Sequence, residues 1–268
     1  MELEHSHAVV TGGARGIGRA IALALAGAGV RAVVVADLDA TGAEETAAAI
    51  RSGGVAATSL RVDVSIEEEV RALVAAAEVS HGAVDLFVSN AGVMVAGDTD
   101  APREEWQRAW EVNVMAHVYA ANAVLPSMLT RGRGYLVSTA SAAGLLTNLG
   151  AAPYSVTKHA VVALAEWLSV TYGNRGIGVS CLCPQGVRTE MLTAGLEAGE
   201  RFGAVVAASG RIAEPEEVAA ALIDAVRVER FLVLPHPEVA GYLERKATDP
   251  EGWLAGMRRL QARLDAAD

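Results

Sequence analysis

Seven short β-branched runs, separated by long helical patterns, constrain this chain more than any other feature. HAVVT (7–11), RAVVVAD (31–37), ATSLRVDV (57–64), VDLFVSN (84–90), GYLVSTAS (134–141), IGVSCLCP (177–184) and RFLVLP (230–235) read as strands. Residues 16–29, 41–53, 66–80, 103–130, 153–175 and 215–227 read as helices, and the stretch between the sixth strand and residue 215 as loop-like. Strands joined through helices of this length form βαβ units and a parallel sheet. Right-handed crossovers then place helices on both sides. Strands buried on both faces carry continuous apolar runs, as these do. The expected fold is α/β: a doubly wound, mostly parallel seven-stranded sheet with helices on both faces. No Pro/Ser linker, charge block or repeat divides the 268 residues. Residues 1–235 are therefore expected to form a single domain, with 236–268 a helical C-terminal tail packed on it.

Composition narrows the partners. Apolar residues make up 52% of the chain, enough for a sizeable core, and the formal net charge is −10. A phosphate backbone needs a basic face, so nucleic acid is not an expected partner. The start, MELEHSHAVV, is acidic and has no basic segment followed by an apolar core. No apolar run reaches the ~18–20 residues that span a bilayer. No membrane association is expected, and a cytoplasmic location is. Cys181 and Cys183, at i and i+2 on a strand, share a face but cannot easily bridge. They read as buried thiols in a reducing compartment. The six histidines are scattered, and no metal site is expected.

TGGARGIG (11–18) joins the first strand to the first helix. Glycines there allow positive φ and close backbone approach, and the helix start offers free N–H groups to a phosphate. The mononucleotide loop G-x-x-x-x-G-K-[ST] fits from Gly13 to Gly18, but Arg19 and Ala20 replace its last two residues. The spacing G-x-G-x-x-G fails because Ile21 stands where the third glycine belongs. What stands is G-x-x-x-G-x-G, with Gly12, Gly16 and Gly18. Asp37 ends the second strand nineteen residues past Gly18. An acid there can accept from both ribose hydroxyls of an adenosine. The expectation is a Rossmann-type dinucleotide site.

Further motifs follow in order: Asp63-Val64, SNAG (89–92), Asn113 in EVNVMA, and Ser141 thirteen residues before YSVTK (154–158). With the glycine loop they resemble the short-chain dehydrogenase/reductase family over roughly 6–234. The resemblance implies a nicotinamide dinucleotide. It places Asp63 and Val64 at the adenine, and Asn90, Ala91 and Gly92 along the cofactor cleft. Arg15 and Ile17 join the glycines at the cofactor, and Pro184, Val187 and Thr189 serve its nicotinamide side. Asn113, Ser141, Tyr154 and Lys158 match the catalytic tetrad, Tyr154 and Lys158 also touching cofactor. Two departures stand out. CPQGVRTEM has Gln185 after Pro184 and Gly186 one place later than the usual Pro-Gly, so the backbone there must adjust. The chain also ends in a charged helical tail instead of a Gly-rich strand and short tail.

A tyrosine four residues before a lysine occurs twice, in YSVTK and again in YLERK (242–246), although the chain has only two lysines. Context separates the pairs. Tyr154 follows the strand that carries Ser141, at the edge where parallel sheets bind ligands; Tyr242 lies amid charges in the tail and reads as a packing residue. Oxidising an alcohol removes a hydride from carbon and a proton from oxygen. A free tyrosine, with pKa ~10, is a poor base at neutral pH. A nearby ammonium and an oxidised nicotinamide favour the phenolate. Ser141 can orient the substrate oxygen, and Asn113 is expected to hold a water that relays the proton outward.

The function expected is that of an oxidoreductase interconverting a secondary alcohol and a ketone. The alternative is a non-catalytic dinucleotide-binding regulator on the same fold; an epimerase or dehydratase would want a separate substrate domain. NAD is expected and NADP less so, because Asp37 would repel a 2′-phosphate. Arg15 argues the other way, unless it pairs with Asp37. Residues 144–153 and 190–212 are mostly apolar and imply an apolar or neutral substrate. Residues 190–210, with Gly195, Gly199 and Gly203 inside, are expected to form a mobile lid. Helices 103–130 and 153–175 carry more apolar face than one sheet side readily covers, and the family resemblance implies a two-fold interface there, so a homodimer or homotetramer is expected.

Overall fold

The structure, a computed structural model, describes residues 1–208 and 210–266. Among them the apolar runs form β1 (His7–Thr11), β2 (Ala32–Asp37), β3 (Ala56–Arg61), β4 (Leu86–Ser89), β5 (Gly134–Thr139), β6 (Ile177–Leu182) and β7 (Leu232–Val233). They pair in the order β3-β2-β1-β4-β5-β6-β7, and every pairing is parallel. Consecutive strand residues point to opposite faces. Val10, Val33 and Val35 therefore meet α1 (Gly16–Gly27), α2 (Ala40–Ser52) and α10 (Pro215–Arg227) on one side. Val9, Val34 and Phe87 meet α3 (Glu67–His81), α5 (Ala116–Arg131) and α7 (Ala152–Tyr172) on the other. Because both faces are covered, the strands need apolar residues at every position.

The expected helix at 103–130 is interrupted. It runs as α4 (Arg103–Trp110), a π turn (Glu111–Met115) and then α5. One extra residue in a turn leaves the apolar period on either side intact, so periodicity does not reveal it. A short α6 (Ala143–Leu146) precedes α7.

The stretch before residue 215 is not a loop but two helices, α8 (Glu190–Glu197) and α9 (Arg201–Ala208). Thr189 caps α8, its Oγ1 accepting from the Leu192 N–H. Two of the glycines in this stretch are sites of close packing. A Cβ on Gly195 would lie 2.2 Å from the Phe202 ring, and one on Gly203 would lie 3.2 Å from Leu196. Gly199, at φ +67°, turns the chain between the two helices. Ser209, part of the expected lid, lies outside the described residues.

The tail forms α11 (Glu238–Thr248) and α12 (Pro250–Asp265). It docks on α6 through Val239, Tyr242, Leu243 and Trp253, which pack with Ala142 and Leu146. Among the described residues, no helix is long and apolar enough to cross a membrane.

Candidate active site

Strand order reverses between β1 and β4, so the helices that follow them leave on opposite sides and open a crevice at the strands' carboxyl ends. A cleft of about 740 Å³ runs along it. Gly12, Arg15, Gly16, Ile17, Gly18, Asp37, Asp63, Val64, Asn90, Ala91 and Gly92 line its first half. Ser141, Tyr154, Lys158, Pro184, Val187 and Thr189 line the rest. Of the expected residues, Asn113 does not line it.

The glycine loop is shaped by contact. Gly12 and Gly16 have φ of +65° and +53°, the left-handed region that favours glycine. A Cβ on Gly18 would lie 1.9 Å from the Gly12 carbonyl oxygen, so that position admits no side chain. Thr11 Oγ1 accepts from the N–H groups of Asn90 (3.0 Å) and Ala91 (3.2 Å). In return Asn90 Nδ2 donates to the carbonyls of Thr11 and Gly12, at 3.1 and 3.3 Å. The Asn90 amide thus fastens the loop to β4. Thr11 is a site residue the sequence reading missed; its signal was a polar residue closing an otherwise apolar strand. The first turn of α1 has no side-chain cap and no acid, leaving its N–H groups free for an anion.

Asp37 Oδ2 accepts from Ala14 N–H and Oδ1 from Asp39 N–H, both at 3.0 Å, which aims the carboxylate into the cleft. Arg15 does not pair with Asp37. Its partner is Glu190 on α8, and both side chains are exposed, so the contact contributes little stability. Asp63 Oδ1 accepts from the Ser65 N–H and hydroxyl, at 3.0 and 2.6 Å. These features suit a dinucleotide: a cradle that side chains would fill, free donors for its phosphates and a fixed acceptor for its ribose.

At the other end, α7 carries Tyr154 and Lys158. Its start is fixed by short bonds to the segment after β4: Gly97 N–H donates to Gly150 O at 2.9 Å, and Ala152 N–H to Gly97 O at 2.8 Å. Lys158 is 3% exposed; its Nζ donates to the Thr139 carbonyl at 2.9 Å and lies 5.7 Å from the centre of the Tyr154 ring. Burial lowers the Lys158 pKa to about 8. Burial also raises the Tyr154 phenol above its usual value, while a hydrogen bond with Ser141 opposes the rise. Ser141 Oγ accepts from Ala143 N–H at 3.1 Å.

Asn113 sits in the π turn and is fully buried. Its Oδ1 accepts from Val93 N–H (2.8 Å), and its Nδ2 donates to Val93 O (3.0 Å) and Thr157 Oγ1 (3.2 Å). This amide ties the cleft wall to α7, its side-chain oxygen and nitrogen both engaged with protein partners. Beyond it, His117 is buried with neither ring nitrogen hydrogen-bonded. Burial and the Lys158 charge push its pKa down to about 3.

The displaced glycine after Pro184 has its own support. His236 Nδ1 accepts from Gln185 N–H at 3.2 Å, and its Nε2–H donates to the Gly186 carbonyl at 3.0 Å. One neutral imidazole thus splints the altered turn. Cys181 and Cys183 are free and buried, with sulfurs 3.7 Å apart. In the second tyrosine–lysine pair, Tyr242 packs on Trp253 at 6.4 Å between ring centres, and Lys246 Nζ donates to the Leu145 carbonyl. That ammonium is engaged in docking the tail.

A family model described as short chain dehydrogenase matches residues 6–198. The chain belongs to the short-chain dehydrogenase/reductase family. It is 35% identical over 242 residues to 1-deoxy-11-beta-hydroxypentalenate dehydrogenase of Streptomyces exfoliatus, covering 89% of this chain and 86% of that one. It is 38% identical over 223 residues to cis-4-hydroxycyclohexanecarboxylate dehydrogenase of Sinomonas cyclohexanicum, covering 80% and 86%. A crystal structure of a family member from Burkholderia phymatum in complex with NAD superposes with a TM-score of 0.86 at 31% identity, over 94% of this chain and 96% of that one.

His117 yields a pH prediction. Its folded pKa of about 3 lies below the ordinary 6.5, so the unfolded chain binds the extra proton and acid favours unfolding. Stability from this group is present above about pH 6.5 and is lost as pH falls toward 3. Urea denaturation should show wild type losing about 2 kcal/mol more than His117→Leu between pH 7 and pH 5. Equal losses in the two proteins would remove His117 from this role.

Proposed function

We propose that this oxidoreductase interconverts a secondary alcohol and a ketone with NAD, using Tyr154 as general acid/base. The observation that carries this reading is the convergence of Ser141, Tyr154 and buried Lys158 on the cleft that the glycine loop opens. When bound, the nicotinamide ring would supply the acceptor for the carbinol hydride. Ser141 orients the substrate oxygen, and Tyr154 takes its proton. Burial alone raises the phenol's pKa, so ionisation depends on positive charge beside it: the Lys158 ammonium, and the charge of an oxidised nicotinamide. Asn113 acts by position, holding Val93 and α7 in register. The names of the hydroxy-carboxylate dehydrogenases above support an alcohol as substrate.

Asp37 favours NAD. Its carboxylate is fixed by two backbone donors where the adenosine ribose would lie, and a 2′-phosphate there would meet like charge. Arg15, engaged with Glu190, is a weaker claimant on that phosphate. The NAD complex of the Burkholderia phymatum relative supports the same choice. Val156, Trp167 and Val170 on α7 are exposed, at 49%, 57% and 83%, which supports a two-fold helical interface.

Three measurements test this reading. Tyr154→Phe should lose nearly all turnover while still binding cofactor, whereas Tyr242→Phe should keep kcat near wild type; equal losses in both folded variants would overturn the assignment. Wild-type kcat/KM should favour NAD over NADP by tenfold or more, about 1.4 kcal/mol, and Asp37→Ala should erode that ratio. An unchanged ratio would pass control to Arg15. Sedimentation at micromolar concentration should show at least a dimer, and a monomer alone would exclude the α7 interface.

A further inference from the structure

A second cavity, of about 640 Å³, adjoins the catalytic cleft. Ser141, Asn148, Gln185 and Val206 line both, so a molecule held at Ser141 can extend into it. The tail builds its far wall. Gly252, Trp253, Gly256, Met257 and Leu260 recur at three- and four-residue steps along α12, which puts them on one face, and that face lines the cavity. Two of these positions have no side chain. A Cβ on Gly256 would meet the Arg259 guanidinium at 3.8 Å, ordinary contact distance, so open space stands above it. The wall is held in place at its far end, where Arg201 of α9 pairs with Asp265 at 2.8 Å.

Its charge runs against that of the chain. The formal net charge is −10, yet Arg245, Arg259 and Arg263 line this cavity with a single carboxylate, Asp249. That carboxylate is already engaged, since Asp249 Oδ1 accepts from Gly252 N–H at 2.9 Å and caps α12. Among the described residues no carboxylate forms an ion pair with any of the three guanidinium groups. A second observation comes from the neck between the cavities. Asn148 is 9% exposed, and its Oδ1 is buried without a hydrogen-bond partner. A buried acceptor of this kind calls for a donor, which a hydroxyl on a ligand passing through the neck would provide.

We propose that this cavity is a distal substrate subsite for an apolar skeleton ending in a carboxylate. The placement of the reacting end rests on the dehydrogenase reading. The alcohol or ketone lies at Ser141 and Tyr154, the skeleton runs along Trp253 and Met257, and the carboxylate meets the arginines. Guanidinium groups bind carboxylates in forked, charge-assisted pairs. The neutral substrate expected from residues 144–153 and 190–212 describes the near half of the path; the positive charge arrives only when the tail folds back.

Binding tests the subsite without turnover. Octanoate and 1-octanol are titrated calorimetrically into the full-length protein, with and without NADH. Octanoate should bind at least tenfold more tightly than 1-octanol in one or both conditions. Arg259→Gln with Arg263→Gln should weaken octanoate by about tenfold, the usual worth of a charged hydrogen bond, and leave 1-octanol unchanged. Gly256→Phe, which fills the hollow, should weaken both probes. Circular dichroism and urea midpoints check that the variants are folded. Equal affinity of the wild type for the two probes, binding of neither, or an arginine variant whose octanoate affinity is unchanged would overturn the proposal. Octanoate binding as described, with no NAD-dependent oxidation across a panel of hydroxy acids, would leave the subsite standing and defeat the dehydrogenase reading instead.

Discussion

A buried ammonium on a main-chain carbonyl is the contact the site depends on. Placing a charge 97% out of water is costly unless it is hydrogen-bonded. Lys158 meets that need at Thr139 O, the last residue of β5. The bond fixes how far α7 stands from the sheet edge, and with it where Tyr154, one turn earlier, meets Ser141. Burial keeps the nearby His117 neutral, and the same charge adds to that effect. Arginine would bring a planar fork into a space shaped for a point charge, which fits the use of one of the chain's two lysines here.

The other half of the cleft rests on neutral contacts. Gly18 packs on the Gly12 carbonyl, and the reciprocal bonds of Thr11 and Asn90 fasten that loop to the neighbouring strand. The loop conformation therefore belongs to the sheet rather than to any ligand. Preorganisation of this kind lowers the ordering cost of binding.

Much of this was legible in the chain. Strands buried on both faces need uninterrupted apolar runs, so the sheet and its helices were readable from patterning, and the residues expected to hold cofactor gather in one cleft. What patterning hid has specific causes. The π turn around Asn113 leaves the apolar period on each side intact. Nothing local in the sequence shows that Phe202 and Leu196 lie against Gly195 and Gly203. Arg15 could have faced Asp37 or elsewhere, and only the position of α8 decides for Glu190. The tail's arginines carried no sign of what they would border, because contacts between residues a hundred positions apart leave no mark on local periodicity.

His236 lies between β7 and α11, yet its imidazole grips the turn after β6 by both nitrogens. The tail is therefore a structural part of the cleft's floor as well as a wall beside it. Replacing the tail would take away the imidazole that holds the peptide groups of Gln185 and Gly186. Tail and turn thus form one structural module, and grafting the tail alone onto a backbone with Pro-Gly at this turn would transplant a lock without its strike plate.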